Sequence, residues 1–254
     1  MQEIGRVAEV WRYPVKSMAG EAVEAGFLGF AGVYGDRVYA FRKQGGHAGF
    51  PFMTAREQAA MLLMRPRFRD PVAMAAPPDL AAAASLGPGI TPLYALEAAY
   101  ALDVEMPEGE TLAIDSPALV DRLGAVLLPR SERGLTDCRP LSLISLATIA
   151  QLSAETGRVL DLRRFRQNLY LDLDGGGFAE EALIGQRIRL GAKAEAMLLE
   201  ADPRCKMITL DPDTAEADPA ILRHVAREHG GNAGVYAAVL VEGMVRPGDP
   251  VSLL

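Results

Sequence analysis

The chain has 254 residues, of which 50% are hydrophobic and 23% charged, and its formal net charge at pH 7 is -7. These proportions exclude a disordered, collagenous or coiled-coil chain, and the acidic balance argues against nucleic acid as a partner, since phosphate neutralisation needs an excess of Lys and Arg. Two cysteines are too few for a secreted disulfide framework, and neither a signal-peptide pattern nor a membrane-spanning apolar run occurs, so we expect a cytoplasmic protein without a membrane span.

The first third of the sequence is predicted to be rich in strands. Runs of β-branched and aromatic residues over 7–15 and 37–41 are separated by glycine and proline turns, a pattern typical of a small barrel or a curled sheet. Residues 71–92 are rich in alanine, proline and glycine and lack the periodicity of a packed face. We predict a connecting excursion there, with one or two helical turns.

The second half of the sequence predicts helices interspersed with strands. One helix is expected over 117–127 after Ser116 as N-cap, a second over 145–155 with Gly157 as its stop, and a third that begins at Asp218 and is closed by glycines 230 and 231. The predicted strands cover 168–173, 186–190, 194–200 and 235–241. Strands outnumber helices, which indicates a β-rich α+β protein.

The common cofactor and metal motifs do not occur in this sequence. The glycines at 29, 32 and 35 do not have the spacing of a dinucleotide-binding loop, and no Gly-Lys-Ser/Thr ends a phosphate loop. The three histidines, His47, His224 and His229, form no HExxH motif, and no CxxC pair occurs. We interpret each histidine as a surface residue or one whose hydrogen bonds are satisfied locally.

The segment around Cys205 is the most informative for chemistry. Arg204 and Lys206 flank this cysteine, an arrangement that favours the thiolate, which ligates soft metals and attacks electrophiles. The alternative is a buried, inert cysteine between two solvated charges, since free cysteine is among the most buried residue types.

Two further clusters have the residue types that bind anions. Lys16 and Ser17 follow a strand-like run and can present an ammonium and a hydroxyl to one phosphate, to which Arg37 could add a bidentate guanidinium. Three arginines fall within 163–166, just before an apolar strand. The alternatives are a strand end with a solvated lysine and a solvated charge run. With no Ser-His-Asp or Cys-His-Asn set identifiable, the clusters favour a phosphate-bearing cofactor that contains a thiophilic metal.

Seven segments, in order over nearly the whole chain, carry a family resemblance. They are YPVKS at 13–17, GDR at 35–37, MTAR at 53–56, FRQN at 165–168, PRC at 203–205, TLDPDT at 209–214 and the closing GVYAAVLVEGMVRPGDPVSLL at 234–254. Together they resemble MOSC-domain proteins with an N-terminal MOSC β-barrel domain, and in particular the mitochondrial amidoxime-reducing component and its bacterial counterparts. The resemblance implies a MOSC N-terminal β-barrel domain over 1–115 and a MOSC domain, a β-barrel with helices, over 116–254.

The resemblance also implies a molybdenum cofactor, Mo-molybdopterin, and a set of residues that hold it. Cys205 of the PRC segment would ligate the molybdenum and act as the catalytic residue. The cofactor-binding residues implied by the matching motifs are Lys16, Ser17, Arg37, Arg166, Asn168 and Arg204. Three positions depart from the pattern of the family: Gln167 in place of a frequent proline, Cys138-Arg139 in place of small hydroxyl residues, and Ala215 in place of glycine.

The activity implied is the reduction of N-hydroxylated or N-oxygenated small molecules by oxygen-atom transfer at a cysteine-ligated molybdenum. Two cysteines cannot supply the four ligands of a [2Fe-2S] cluster, so electrons are expected from a separate electron-donor protein. The alternative is a molybdenum-cofactor carrier or a sulfur-transfer module in which Cys205 receives sulfur as a persulfide. A third alternative is a MOSC fold that has lost its cofactor and serves as a binding module.

Overall fold

The computed structural model describes residues 2–43, 50–94, 100–131 and 133–254, and His47 lies outside these ranges. The elements of the first half are β1 (Gln2–Arg12), β2 (Glu21–Val23), β3 (Gly26–Gly29), β4 (Gly32–Val33), β5 (Phe41–Lys43), β6 (Arg65–Phe68), α1 (Leu80–Ala84), β7 (Leu102–Glu105), β8 (Thr111–Ala113), α2 (Pro117–Leu123) and β9 (Ala125–Leu127). Those of the second half are β10 (Leu141–Ser145), α3 (Leu146–Thr156), β11 (Leu169–Leu173), β12 (Arg187–Leu190), β13 (Ala194–Pro203), α4 (Pro219–Glu228), β14 (Asn232–Val241), β15 (Gly243–Val245) and β16 (Pro250–Leu253).

Seven strands close into a barrel in the order β11, β10, β14, β13, β12, β16 and β1, and β1 pairs back onto β11. All neighbours are antiparallel except β10 and β11, which are parallel. Buried aliphatic side chains from all seven strands form one apolar cluster. The barrel is thus assembled from both ends of the sequence, because β1 is the first strand of the chain and β10 to β16 follow residue 140.

The closure of the barrel depends on a glycine in β1. Gly5 lies opposite Leu173 of β11 and Val251 of β16, at a register shift in β1. Its φ is 147°, and a Cβ at this position would lie 2.2 Å from the carbonyl oxygen of Asp172. A side chain is therefore excluded sterically where the two strands meet.

The short strand β2, which pairs with β1, and three small sheets complete the β structure of the described residues. The three sheets pair β15 with β3 and β4, β5 with β9, and β6 with β7 and β8. A second apolar cluster, which includes Phe41, Met61, Tyr100 and Leu119, lies among them. The β-rich α+β class that the sequence predicts, with a MOSC-type barrel and helices, is confirmed.

The helices α3 and α4 begin and end where local signals predict. Ser145 Oγ accepts a hydrogen bond from the amide of Ala147 at 3.2 Å, and Gly157 ends α3 with φ 65°. Asp218 Oδ1 accepts from the amide of Ala220 at 3.0 Å at the start of α4. The two helices pack together in a third apolar cluster.

Three predicted elements have other bounds in the structure. The strand expected over 7–15 is β1, which begins earlier and ends earlier, at Gln2–Arg12. The helix expected over 117–127 ends at Leu123, because Gly124 adopts a left-handed conformation with φ 59° and β9 begins directly afterwards. The strand expected over 37–41 is reduced to a single bridge at Tyr39 and to β5, which starts at Phe41. The reason is a left-handed turn at Arg37, where φ is 50°.

Candidate functional site

One cleft, which we call the basic cleft, is lined by side chains from both halves of the chain. All seven residues predicted as site residues line it: Lys16, Ser17, Arg37, Arg166, Asn168, Arg204 and Cys205. Six cationic side chains line the basic cleft against two carboxylates, Asp137 and Asp202. A chain whose net charge is -7 thus concentrates an excess of four positive charges in one place.

Lys16 is held at the cleft by the segment around residue 136. Its Nζ donates to the carbonyl oxygen of Leu135 at 2.6 Å and forms an ion pair with Asp137, and it lies 4.7 Å from the ring centre of Phe52. Burial lowers the pKa of Lys16, and Asp137 opposes this effect. Burial would by itself raise the pKa of Asp137, but Lys16 and the nearby arginines lower it below its ordinary value.

Tyr13 separates two arginines of the cleft. The guanidinium carbons of Arg37 and Arg166 lie 4.8 and 4.4 Å from the centre of its ring, so both cations make cation–π contacts with the same buried aromatic side chain. Burial, together with the repulsion of Arg37, lowers the pKa of Arg166 to about 10. Arg37 is also paired with Asp36, which raises the pKa of Arg37 even though burial opposes it.

Three of the cleft residues have a left-handed backbone although they are not glycine. The φ angles are 69° at Ser17, 50° at Arg37 and 55° at Arg166, and the described residues contain only two other cases, Phe178 and Ala215. Such conformations cost free energy and concentrate at functional sites, where the surroundings enforce them. Their coincidence at the basic cleft singles out these three positions among the described residues.

Arg204 belongs to a buried polar network at the floor of the cleft. It pairs with Asp202 and donates through Nη2 to the carbonyl oxygen of Phe165 at 2.6 Å. Asp202 also accepts from Gln167 Nε2 at 2.7 Å. Within the described part of the chain, Arg204 Nε and Gln167 Oε1 are buried and have no hydrogen-bond partner. The network therefore retains two unused polar atoms, one of them on Arg204, which lines the cleft together with Cys205.

Cys205 is a free, half-buried thiol at the end of the polar network. It has an extended backbone and precedes a short 3-10 helix, Lys206–Thr209, which packs against α4 through Ile208. The ammonium group of Lys206 is engaged elsewhere, because its Nζ donates to the carbonyl oxygen of Arg56 at 2.8 Å. Cys205 is thus fixed between the barrel strand β13 and the helical cluster.

Asn168 lines the cleft, but its amide is engaged with the barrel. Its Oδ1 accepts from the amide and the hydroxyl of Ser142, both at 3.3 Å, and its Nδ2 donates to the carbonyl oxygen of Trp11 at 3.3 Å. Through these bonds Asn168 ties β1 to β10 next to the left-handed turn at Arg166. A direct contact of Asn168 with a cofactor stays a prediction.

The sequence left open whether the basic run at 163–166 is a solvated charge run or an anion-binding patch, and its three arginines differ in this respect. Arg163 pairs with Asp161 and Asp213 at 2.7 and 2.6 Å, and Arg164 pairs with Asp211 at 2.7 Å. These two arginines hold the turn at 211–214 in place. Arg166 alone of the three lines the basic cleft.

Sequence reasoning missed several residues of the cleft. Arg56 and Arg139 add two cations, and Asp137, Tyr13 and Tyr236 hold or flank predicted residues. Arg56 lies in the MTAR segment, Tyr13 in YPVKS and Tyr236 in the closing segment at 234–254, so a motif already included these three. Asp137 and Arg139 lie in none of the seven segments, and only the fold brings them beside Lys16.

A closed seven-stranded barrel with flanking helices and a cation-lined cleft around one thiol defines the class of this protein. A family model of the MOSC domain matches residues 130–252, and one of the MOSC N-terminal beta barrel domain matches residues 4–89. The chain belongs to the MOSC-domain family. No helix in the described ranges is both long and apolar enough to cross a bilayer.

Mitochondrial amidoxime-reducing components of several mammals are similar to the chain over nearly its whole length. Mitochondrial amidoxime reducing component 2 of Bos taurus is 24% identical over 99% of this chain and 84% of its own, and the Homo sapiens protein of that name gives the same values. Mitochondrial amidoxime-reducing component 1 of Mus musculus is 25% identical over 100% and 84%. Among solved structures, the YUAD protein from Bacillus subtilis aligns with TM-score 0.48 and 13% identity over 97% of this chain and 93% of its own.

Proposed function

We propose that the basic cleft binds a pterin-based molybdenum cofactor and that the protein reduces N-hydroxylated compounds. The observation that carries the proposal is the excess of positive charge around a single fixed thiol. A phosphate-bearing pterin needs cations and hydroxyl or amide donors, and a thiophilic metal needs a thiolate. The basic cleft offers both within one set of lining residues.

The unused polar atoms of the cleft support the fit of such a cofactor. The hydroxyl of Ser17 makes no hydrogen bond to any described residue although Ser17 is 6% exposed. Arg204 Nε is buried without a hydrogen-bond partner in the described ranges. Buried polar groups normally have partners, so atoms left over beside an anion-binding surface favour a ligand that supplies them.

The residues divide the binding of the cofactor among themselves. Lys16, Ser17 and Arg37 would bind the phosphate and the pterin from the N-terminal side. Arg166 and Arg204 would bind from the barrel side, each already oriented by a backbone carbonyl. Cys205 would ligate the metal, and Asn168 would keep the Arg166 turn in place through its bonds to the barrel.

The bound molybdenum would supply the two-electron redox chemistry of the reduction. The overall conversion consumes two electrons and two protons, turns an N-hydroxyl group into an N–H group and releases one water. Electrons come from a separate electron-donor protein, in line with the two cysteines of this sequence. The protein residues position the cofactor and hold its negative charge, and we propose a cytoplasmic location for the reaction.

The test begins with metal content. The protein is purified from a host that makes molybdopterin, molybdenum is measured by mass spectrometry, and pterin is measured by fluorescence after oxidation. We expect near-stoichiometric molybdenum and pterin, and loss of molybdenum in Cys205→Ala. Cys138→Ala is the matched control, because Cys138 is the other free thiol and lies exposed beside Glu200. Reduction of benzamidoxime with an artificial electron donor then tests the activity.

The cationic residues have matched controls as well. Lys16→Ala and Arg37→Ala should lower cofactor occupancy. Arg69→Ala and Arg122→Ala are the controls, because they remove exposed cations that pair with Asp103 and Glu110 and do not line the cleft. Equal occupancy in all four variants contradicts the phosphate assignment. Wild-type protein without molybdenum or pterin from a competent host contradicts the proposal itself, and a persulfide on Cys205 without metal indicates the sulfur-transfer alternative.

A further inference from the structure

Two of the three histidines meet a glutamate at the outer face of the helical cluster. Glu155 lies in the last turn of α3, His224 lies in α4, and His229 follows the end of α4. Glu155 Oε2 is 2.8 Å from His224 Nε2 and 2.7 Å from His229 Nε2. The three ligand atoms all lie within 4.8 Å of one another. The sequence, in which 69 positions separate Glu155 from His224, gives no indication of this meeting.

The side chains of this cluster are oriented by their neighbours. The ring of Phe178 stacks on that of His229, with 4.1 Å between centres and 15° between planes. Phe178 adopts a left-handed backbone with φ 64°, a costly conformation for a bulky residue. Gln151 Nε2 donates to Glu155 Oε1 at 2.7 Å, which leaves Oε2 to face the two imidazoles.

A second carboxylate follows the residue that stacks on His229. The amide of Glu181 donates to the carbonyl oxygen of Phe178 at 3.0 Å, and Glu181 Oε1 is buried without a hydrogen-bond partner among the described residues. The imidazoles themselves are only 15% and 14% exposed, and Glu155 is 28% exposed. The cluster is therefore half-buried, ordered and still open to solvent on one side.

We propose that Glu155, His224 and His229 form a binding site for a late first-row divalent cation, with Zn²⁺ as the physiological class. Imidazole nitrogen and carboxylate oxygen are ligands of Zn²⁺ at about 2.0–2.2 Å, and three protein ligands with one open position are typical of sites that also bind water. Tetrahedral ligands at that radius lie about 3.3–3.5 Å apart. The present contacts of 2.7 and 2.8 Å would have to open by about 0.5–0.8 Å to reach that separation.

A cation at this site ties the end of α3 to the end of α4. The helix α4 packs through Ile221 and Val225 against Ile208, which lies in the short helix that follows Cys205. The site would therefore stabilise the helical scaffold on which the segment of Cys205 rests. The alternative is a plain hydrogen-bonded pair of imidazoles on one carboxylate, which needs no metal.

The experiment measures Zn²⁺ binding and thermal unfolding of the full chain without a polyhistidine tag. Both thiols also have affinity for zinc, so calorimetric titration is done with wild-type protein and with the Cys138→Ser/Cys205→Ser double variant. We expect one Zn²⁺ per chain in the double variant. At free Zn²⁺ about 100-fold above Kd, the unfolding equilibrium constant falls about 100-fold, which raises Tm by roughly 5–10 °C, whereas Mg²⁺ gives no shift.

Variants separate the metal site from a plain hydrogen-bonded cluster. His224→Ala and His229→Ala should each weaken Zn²⁺ binding more than about tenfold. Glu155→Gln keeps a hydrogen-bonding side chain but removes the anionic ligand, so it should lose the Zn²⁺ shift while it keeps most of the metal-free stability. His47→Ala is the matched control and should bind as wild type. Absence of a Zn²⁺-dependent shift in the double thiol variant, or a shift that survives both His224→Ala and His229→Ala, overturns the proposal.

Discussion

Ser17 combines a strained backbone with an unused hydroxyl, and the two features can be separated by substitution. Its φ of 69° lies in the left-handed region of backbone conformations, which costs a residue with a Cβ about 1–2 kcal/mol. Glycine removes that cost, but it gives the unfolded chain more freedom, which offsets about 0.4–1 kcal/mol. Ser17→Gly should therefore stabilise the cofactor-free protein by about 0.5–1 kcal/mol.

The same substitution should weaken the cofactor site. Ser17 lines the basic cleft and its hydroxyl makes no bond to a described residue, so its removal costs the fold little and deprives a bound phosphate of a donor. Ser17→Ala is the matched control, because it loses the hydroxyl and keeps the strained Cβ. We expect Ser17→Gly and Ser17→Ala to lose molybdenum occupancy equally, while only Ser17→Gly is stabilised.

The assay compares the thermal unfolding of the three cofactor-free proteins with their molybdenum content after expression in a competent host. For a chain of this size, 0.5–1 kcal/mol corresponds to a rise in Tm of about 1–4 °C. The reasoning is refuted if Ser17→Gly is no more stable than Ser17→Ala, because the left-handed conformation would then store no free energy. Wild-type occupancy in both variants would remove Ser17 from the cofactor site.

Two further predictions concern stability. Gly5→Ala should lower the free energy of unfolding, measured by urea titration, by about 2–4 kcal/mol, because the new Cβ meets a backbone carbonyl in addition to the strain of φ 147°. Gly109→Ala is the control. Its φ is 87° and no atom lies within 4 Å of the new Cβ, so it should cost only about 1–2 kcal/mol. The carboxylate of Glu180 accepts a hydrogen bond from Thr148 Oγ1 at 2.8 Å, and burial raises the pKa of Glu180. The carboxyl group therefore binds a proton more tightly in the folded state than in the unfolded state. Above the folded pKa the group is charged, and its burial then opposes folding. Glu180→Gln should therefore raise the free energy of unfolding at pH 8, and this gain should vanish as the pH falls below the unfolded pKa; an equal gain at pH 4 and pH 8 would contradict that account.

Local signals in the sequence were sufficient for the ends of the helices α3 and α4. Ser145, Gly157 and Asp218 act through hydrogen bonds and backbone preferences within a few residues, so their effect can be inferred without the fold. The helix after Ser116 was predicted too long, because a glycine at position 124 was not taken as its end. The left-handed turn at Arg37 shortened a predicted strand for a similar reason, since a positive φ at arginine has no compositional signal.

The cofactor residues were identified from motifs, whereas their common location was a matter of tertiary structure. Seven residues spread from position 16 to position 205 line one basic cleft because β1 pairs with β11 and closes the barrel. The ion pairs of Arg163 and Arg164 with aspartates of the turn at 211–214 also depend on that packing. So does the position of Arg166, the one arginine of the run at 163–166 that lines the cleft. Charges far apart in sequence neutralise one another only when the fold brings them within a few ångströms.

The sequence by itself determined the β-rich class, the caps of two helices, the family and the residue types that suit an anionic, metal-containing ligand. Tertiary structure alone decided which strand closes the barrel, which cations remain to face the cleft, and that Glu155 meets His224 and His229. The physical reason is the distance along the sequence over which each kind of interaction acts. Caps, turns and side-chain chemistry act over a few residues. Strand pairing, burial and the pairing of charges depend on contacts between positions that the sequence separates by up to 251 residues, as in the pair Gln2 and Leu253.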